Sequence, residues 1–380
     1  MNIRRSQWVV SRLPWIAIAC LALAACSGTR TTVVVGTTTA MPGLSGVACR
    51  DNRGDAARIQ AAIDASAPGT VLQIGGTCLL TRGIVLAVGR KYVGGATTGT
   101  VLKQHGPMSF VLASSAYVGN STTTGDPIQI RDLTVACDGS GSTDGIIIMN
   151  WQTVVQQVDI HHCGGSGIVN TSVAQNGRAI TNTSVNSRFE DNFITNSGNY
   201  GIEVVDPVNA VTDGFVTDNQ IANSRKDGIY LQNSAGWVIS GNHLYGDGED
   251  GIHAERLHAT TISDNYVEDF GAARRSGTWY GIAGSAQGGV GSAITANKVF
   301  NDTGEQPGAR YVYIAVTMTN FGTGYLSVSG NVIATVVRAD EAFYFNGAPH
   351  ALVVASAANQ VSGPGTPRTL GRAVTLRPGI

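Results

Sequence analysis

A Gly-Ile step recurs at repeat-length intervals through the middle of this chain, at Gly145-Ile146, Gly167-Ile168, Gly201-Ile202, Gly228-Ile229, Gly251-Ile252 and Gly281-Ile282. The spacings are 22, 34, 27, 23 and 30 residues. A second series closes the following strand with asparagine, at Asn192, Asn219, Asn242, Asn265, Asn297, Asn331 and Asn359. Asparagine tolerates left-handed backbone and bonds locally in turns, so stacked coils can carry it at one corner as a ladder. Between the markers, apolar and polar residues alternate in short runs, the period of a half-buried strand. Units of this length without helical heptads imply a parallel β-solenoid. Leucine-rich repeats would show periodic leucines and a helix per unit, and propeller blades need about 40 residues. The 49 glycines and the 13% charged residues suit many short strands and turns. A solenoid also lets a long chain bury itself unit against unit.

Two segments sharpen the fold class. Residues 54–86 (GDAARIQAAIDASAPGTVLQIGGTCLLTRGIVL) read as a short amphipathic helix followed by strands, with Ile59, Ala62 and Ile63 facing the open first coil. Residues 130–139 (IRDLTVACDG) form a recurring strand pattern. Together with the repeats, these resemble the right-handed parallel β-helix of the pectate-lyase-like superfamily over most of residues 48–361. The resemblance implies an all-β, right-handed parallel β-helix with a short N-terminal capping helix, here a single domain over residues 44–380.

The N-terminus reads differently. Arg4, Arg5 and Arg12 precede an apolar run from Leu13 to Ala25 that is too short to span a bilayer, which gives residues 1–25 the layout of a secretion signal. Leu23-Ala24-Ala25-Cys26 resembles a bacterial lipobox, which implies cleavage before Cys26 and lipidation of its thiol. Ser27 after the cysteine then favours the outer membrane, and residues 26–43 read as a tether. Removing residues 1–25 takes away three of 25 basic residues and none of 26 acidic ones, leaving 22 against 26, a net charge of −4. No basic stripe argues for nucleic acid. Four cysteines remain beside Cys20 and Cys26. An even number in an exported chain makes disulfides plausible. Cys137 and Cys163 lie 26 residues apart, near the repeat length, so Cys137–Cys163 and Cys49–Cys78 are the favoured pairs, with buried free thiols as the alternative.

Registering the Gly-Ile steps turns the sequence into columns, with successive coils about one strand spacing, ~4.8 Å, apart. Before each Gly stand Asp144, Ser166, Tyr200, Asp227, Asp250 and Tyr280. Two residues after it stand Ile147, Val169, Glu203, Tyr230, His253 and Ala283, and four after it Met149, Thr171, Val205, Gln232, Glu255 and Ser285. Only the middle coils are polar. Asp227, Asp250 and Glu203 are therefore the candidate acid/base or nucleophile groups, with His253 as a further catalytic candidate. Clustered carboxylates raise one another's pKa, which lets one stay protonated beside an ionised partner. Tyr200, Tyr230, Gln232, Glu255, Arg225, Lys226 and Arg256 are candidate substrate-binding residues, and Arg274 and Arg275 lie near the same coils. Equally, Asp before Gly is a good turn residue, and Asp144 shares that context without acidic company. His161-His162-Cys163 lacks a second ligand pair at metal spacing, so no metal is expected there.

The stretch NYGIEVVD (199–206), with SRKDGI (224–229), resembles the mannuronan C-5 epimerases and related alginate lyases. Tyr200 and Gly201 match, and Glu203 stands at an Asp position. Val204-Val205 replaces Pro-His, and Asp227 replaces the catalytic His. Polygalacturonase motifs are not matched beyond Ser-Thr-Asp-Gly at 142–145. The expected activity is cleavage of glycosidic bonds in a polysaccharide, with hydrolysis favoured because carboxylates outnumber fixed cations. Adjacent-coil carboxylates approach the retaining separation and two-coil ones, ~9.6 Å, the inverting range, so the stereochemistry stays open. One alternative is a lyase or C5-epimerase on uronates, for which Ca²⁺ could neutralise the carboxylate. Another is a non-catalytic glycan-binding β-helix; side-by-side trimers are compatible with either.

Overall fold

Short alternating segments and glycine-rich turns give a chain that winds rather than folds back. The computed structural model describes residues 44–273, 275–301 and 308–378. The signal segment, Cys26, the tether and Arg274 lie outside the described residues. One face of the winding is an 11-stranded, wholly parallel sheet that gains one strand per coil, from Ile84–Leu86 and Asp144–Ile148 to Glu341–Asn346 and Thr369–Leu370. A 21-stranded set makes the remainder of each turn, often as two short strands per coil, such as Val238–Ser240 and His243–Tyr245. Every strand pair in these two sets is parallel and passes from one coil to the next, the topology of a right-handed parallel β-helix.

The Gly-Ile steps are scaffold. Ile146, Ile168, Ile202, Ile229, Ile252 and Ile282 pair in register and are fully buried. The glycines answer to close approach: a Cβ on Gly228 would strike the Asp247 carboxylate and the Leu244 side chain packed beneath it.

The asparagines form a continuous ladder. Each Oδ1 accepts both the backbone N–H and the Nδ2–H of the Asn one coil earlier, from Asn192–Asn219 through Asn331–Asn359 at 2.9–3.1 Å. Here the expectation about backbone needs correction. The left-handed position belongs to the residue before each Asn: Asp191, Asp218, Gly241, Asp264, Ala296, Gly330 and Ala358, with φ between 53° and 70°. That kink turns the Asn side chain inward, where it satisfies backbone groups that a turn would otherwise leave buried and unpaired.

Helix Asp55–Ala65 covers the first coil with Ile59 and Ile63 fully buried and Ala62 at their margin. Its Asp55 is buried and accepts backbone N–H groups of Arg50, Asn52 and Leu79, and Arg58 pairs with it. Disulfides join Cys49 to Cys78 and Cys137 to Cys163, with Cα atoms 4.9 and 4.8 Å apart, each tying neighbouring turns of chain.

Candidate active site

The aspartates before Gly do two things at once. Asp144, Asp227 and Asp250 each turn Oδ1 along the solenoid axis to accept the backbone N–H of the next residue in the column: Ser166 at 2.7 Å, Asp250 at 2.9 Å and Tyr280 at 2.8 Å. The column's own backbone bonds hold the register, with Gly201 N–H donating to Asp227 O and Gly228 N–H to Asp250 O. One oxygen of each aspartate is therefore structural, and the other is free for chemistry.

The second oxygens of Asp227 and Asp250 converge on one imidazole. His253 Nδ1 lies 3.0 Å from Asp250 Oδ2 and 4.0 Å from Asp227 Oδ2, while its Nε2 is 3.9 Å from Glu255 Oε1. Asp227 and Asp250 are 5% and 6% exposed. Burial, and then the adjacent Asp250 carboxylate, push Asp227 up to about 7, against the Asp250 N–H and His253. Burial works against a charged His253, yet its bond to Asp250 and the charges of Asp250, Asp227 and Glu255 raise its pKa overall. The result is one carboxyl with a raised pKa beside an imidazole bonded to a second, equally buried aspartate.

Aromatic rings frame this centre. Tyr200 stacks on Tyr230 at 4.9 Å, Tyr230 meets His253 edge-on at 5.5 Å, and the Tyr230 hydroxyl donates to Glu255 at 3.5 Å. Glu249, Thr278, Trp279 and Tyr280 complete a cleft of about 340 Å³ around Asp227, Asp250 and His253. A larger hollow, about 600 Å³, lies on the opposite sheet between Ala259 and Pro378; it is apolar and remote from the carboxylates, so it is not the site.

A family model described as "right handed beta helix region" matches residues 144–333, half of the chain, and that span contains every residue of the cleft. The chain belongs to the right-handed β-helix family. No curated protein matches it. Among solved structures, the A-module of the Azotobacter vinelandii mannuronan C-5 epimerase AlgE4 is similar at 16% identity, covering 87% of this chain and 96% of that one, with a TM-score of 0.60. The A-module of the epimerase AlgE6 from the same organism is similar at 15% identity, covering 87% and 97%, with a TM-score of 0.56. The DFA-IIIase of Arthrobacter chlorophenolicus A6, as its C387A mutant, follows at 12%, covering 84% of each, with a TM-score of 0.53. At such identities the likeness is one of fold.

Within this β-helix the other candidate residues separate. Glu203 stands in the Tyr230 and His253 column, but its Oε2 accepts the Ser166 hydroxyl at 2.6 Å and points away from Asp227. Burial raises its pKa against that bond and Lys226. Asp144 is not without acidic company: burial lifts it to about 6 against the Ser166 N–H, and Glu203 adds to the rise. Lys226 lies 4.7 Å over the Tyr200 ring, and Arg225 is exposed outside the cleft. Gln232 is withdrawn, its Oε1 accepting the Asp206 N–H at 2.8 Å. Arg256 is also withdrawn. A register shift between Ala254 and Leu257 places it in a left-handed bulge with φ 58°, and its guanidinium donates to Gln287 and Asn233. Residues that spacing did not single out include Glu249 and Thr278, and Asp247, fully buried beneath Gly228. Asp247 Oδ1 accepts the Ser224 N–H, its other oxygen has no hydrogen-bond partner, and burial holds its pKa well above the usual range.

Proposed function

We propose that this protein is a carbohydrate-active enzyme that cleaves glycosidic bonds of a polysaccharide by carboxylate acid/base chemistry, with hydrolysis as the favoured outcome. The observation that carries the reading is a buried Asp227, its pKa pushed up to about 7, one coil from an Asp250 whose second oxygen is held by His253 at 3.0 Å. Acid catalysis of glycoside cleavage needs such a pair. Asp227 gives its proton to the glycosidic oxygen as the C–O bond breaks. Asp250 Oδ2 bonds to the anomeric carbon from the other side, with His253 and Glu255 spreading the charge. Water then adds to that carbon, releases Asp250 and returns a proton to Asp227. Adjacent coils suit this double displacement, since ~4.8 Å is near the retaining separation of about 5–5.5 Å. The fold neighbours support the broader class: their names describe a mannuronan epimerase and a DFA-IIIase.

Elimination or epimerisation of uronates is the second reading, favoured by the Tyr200-Gly201 match and by Lys226 over the same ring. The deciding experiment incubates neutral and uronate polysaccharides with the protein, with and without Ca²⁺. New reducing ends without unsaturated sugars support hydrolysis, and unsaturated products support the lyase. No turnover, with glycan binding equal in wild type and Asp227→Asn, would leave a non-catalytic binder. In the same reading Cys26 carries a lipid that holds the enzyme at the outer membrane. Unchanged membrane fractionation of a Cys26→Ser variant would overturn that.

A further inference from the structure

The groove has two chambers and unequal ends. Beyond the cleft of about 340 Å³, a second cavity of about 350 Å³ shares His253, Glu255 and Tyr280 and continues over the next coils to Thr317 and Tyr344. Tyr344 stands three coils from His253 in one column, through Ala283 and Ala315, roughly 14 Å away by strand spacing. On that side the lining residues are small, hydroxylated or aromatic.

The other direction is closed. Ile147 and Val169 point outward from the same sheet yet are 3% and 7% exposed, because Tyr117 and Val118 of the short helix Ser115–Val118 pack over them with Phe110. Val169 is the register partner of Glu203, and Val205 on the Glu203 strand packs at the margin, so this covered patch reaches to where the polar block begins. It stands as a wall across the sheet face at that end.

Charge is one-sided as well. Glu249, Asp227, Asp250 and Glu255 line the cleft, and neither cavity is lined by a lysine or arginine among the described residues. The neighbouring cations face carboxylates of this chain: Arg275 lies 3.7 Å from Glu249, and Arg310 pairs with Glu341. Lys226 sits over Tyr200 and acts electrostatically on Glu203. An anionic sugar would enter this groove against Glu249, Asp250 and Glu255, with no lysine or arginine lining it among the described residues. Hydroxyl groups and apolar ring faces suit it instead, since aromatic faces stack on pyranose rings and Glu, Thr and Tyr bond hydroxyls.

We infer that the groove takes the end of an uncharged glycan chain, its terminal sugars against the Tyr117 wall and its body running over Tyr280 toward Tyr344. The cleavage step rests on the glycosidase reading above; the charge and direction of the ligand do not. The full chain carrying Asp227→Asn is titrated calorimetrically with gluco-, xylo- and galacto-oligosaccharides of increasing length and with oligogalacturonates and oligomannuronates of equal length. Affinity for at least one uncharged series is expected to rise with length until both cavities are spanned, with uronates weaker. A second substitution, Tyr344→Ala, lies on the outer face and should weaken the longer ligands about tenfold, one aromatic stacking contact, while sparing the shortest. Wild-type protein should release short products of one length from the start of the reaction. Uronates binding as tightly as uncharged chains, products of all lengths at early times, or no binding of any uncharged series would each overturn the inference. Length- and Tyr344-dependent binding without turnover would uphold it and sink the glycosidase reading instead.

Discussion

At the scale of single residues, the aspartate before Gly is both turn chemistry and reaction chemistry, divided between its two oxygens. Asp227→Asn keeps Oδ1 as acceptor for the Asp250 N–H but removes the acidic proton, so it should fold and lose activity. The expected loss in kcat is about 10²–10⁴-fold, the usual contribution of general acid catalysis. Asp227→Ala removes the acceptor too and should also lower stability by about 1–3 kcal/mol, the cost of an orphaned buried donor. Urea melts of the two variants beside their rates separate these effects; equal stability losses would refute the division. Because Asp227 titrates near 7 and acts protonated, kcat/KM should fall as pH rises through that value. A plateau extending to pH 9 would exclude it as the acid. The register of Asp227, Asp250 and His253 was legible in the sequence because a solenoid converts spacing into columns. Rotamers were not: nothing in the spacing shows that Ser166 captures Glu203, or that a left-handed bulge swings Arg256 toward Gln287.

At the scale of elements, the Asn ladder and the helix cap do unequal work. Asn242 supports Asn219 on one side and leans on Asn265 on the other, and its Nδ2 also reaches Val216 O at 2.8 Å. Asn242→Leu strands a buried N–H and a buried carbonyl while forcing a larger group into the corner, and should cost about 3 kcal/mol or more. Asn359→Leu, at a half-exposed last rung, should cost less. Since coils are stabilised by their neighbours, the Asn242 variant should also open the middle coils first, which amide hydrogen exchange resolves. Equal costs at both rungs would contradict a ladder whose strength comes from burial. The ladder could be read from recurrence alone, whereas its geometry could not. Gly, Asp and Ala all precede these Asn residues, and only the backbone conformation, positive φ at each of them, identifies that varied position as the one that turns the chain.

At the scale of the whole molecule, buried carboxyls make stability depend on pH in an unusual direction. Asp227 and Asp144 are raised to about 7 and about 6, and burial also raises Glu203 and Asp247. A carboxyl that titrates higher folded than unfolded binds more protons in the native state between the two values. Its contribution is complete below about 4 and is lost as pH rises through the folded value. His253, also raised, has the same sign, complete below about 6.5 and lost at higher pH. Asp55 and Asp138 oppose this only in acid. Burial works against their charged forms, but the N–H groups of Asn52, Leu79 and Arg50, and the side chain and N–H of Ser140, hold them low, so their share is lost as pH falls below about 4. The melting temperature at constant ionic strength should therefore peak near pH 4–5 and decline toward pH 8. Asp227→Asn and Asp144→Asn, which cannot ionise, should each flatten that decline while keeping the Oδ1 bonds of the column. A melting temperature that rises from pH 5 to pH 8 would mean that these carboxyls are charged in the folded protein, and Asp227 would then have no proton to give.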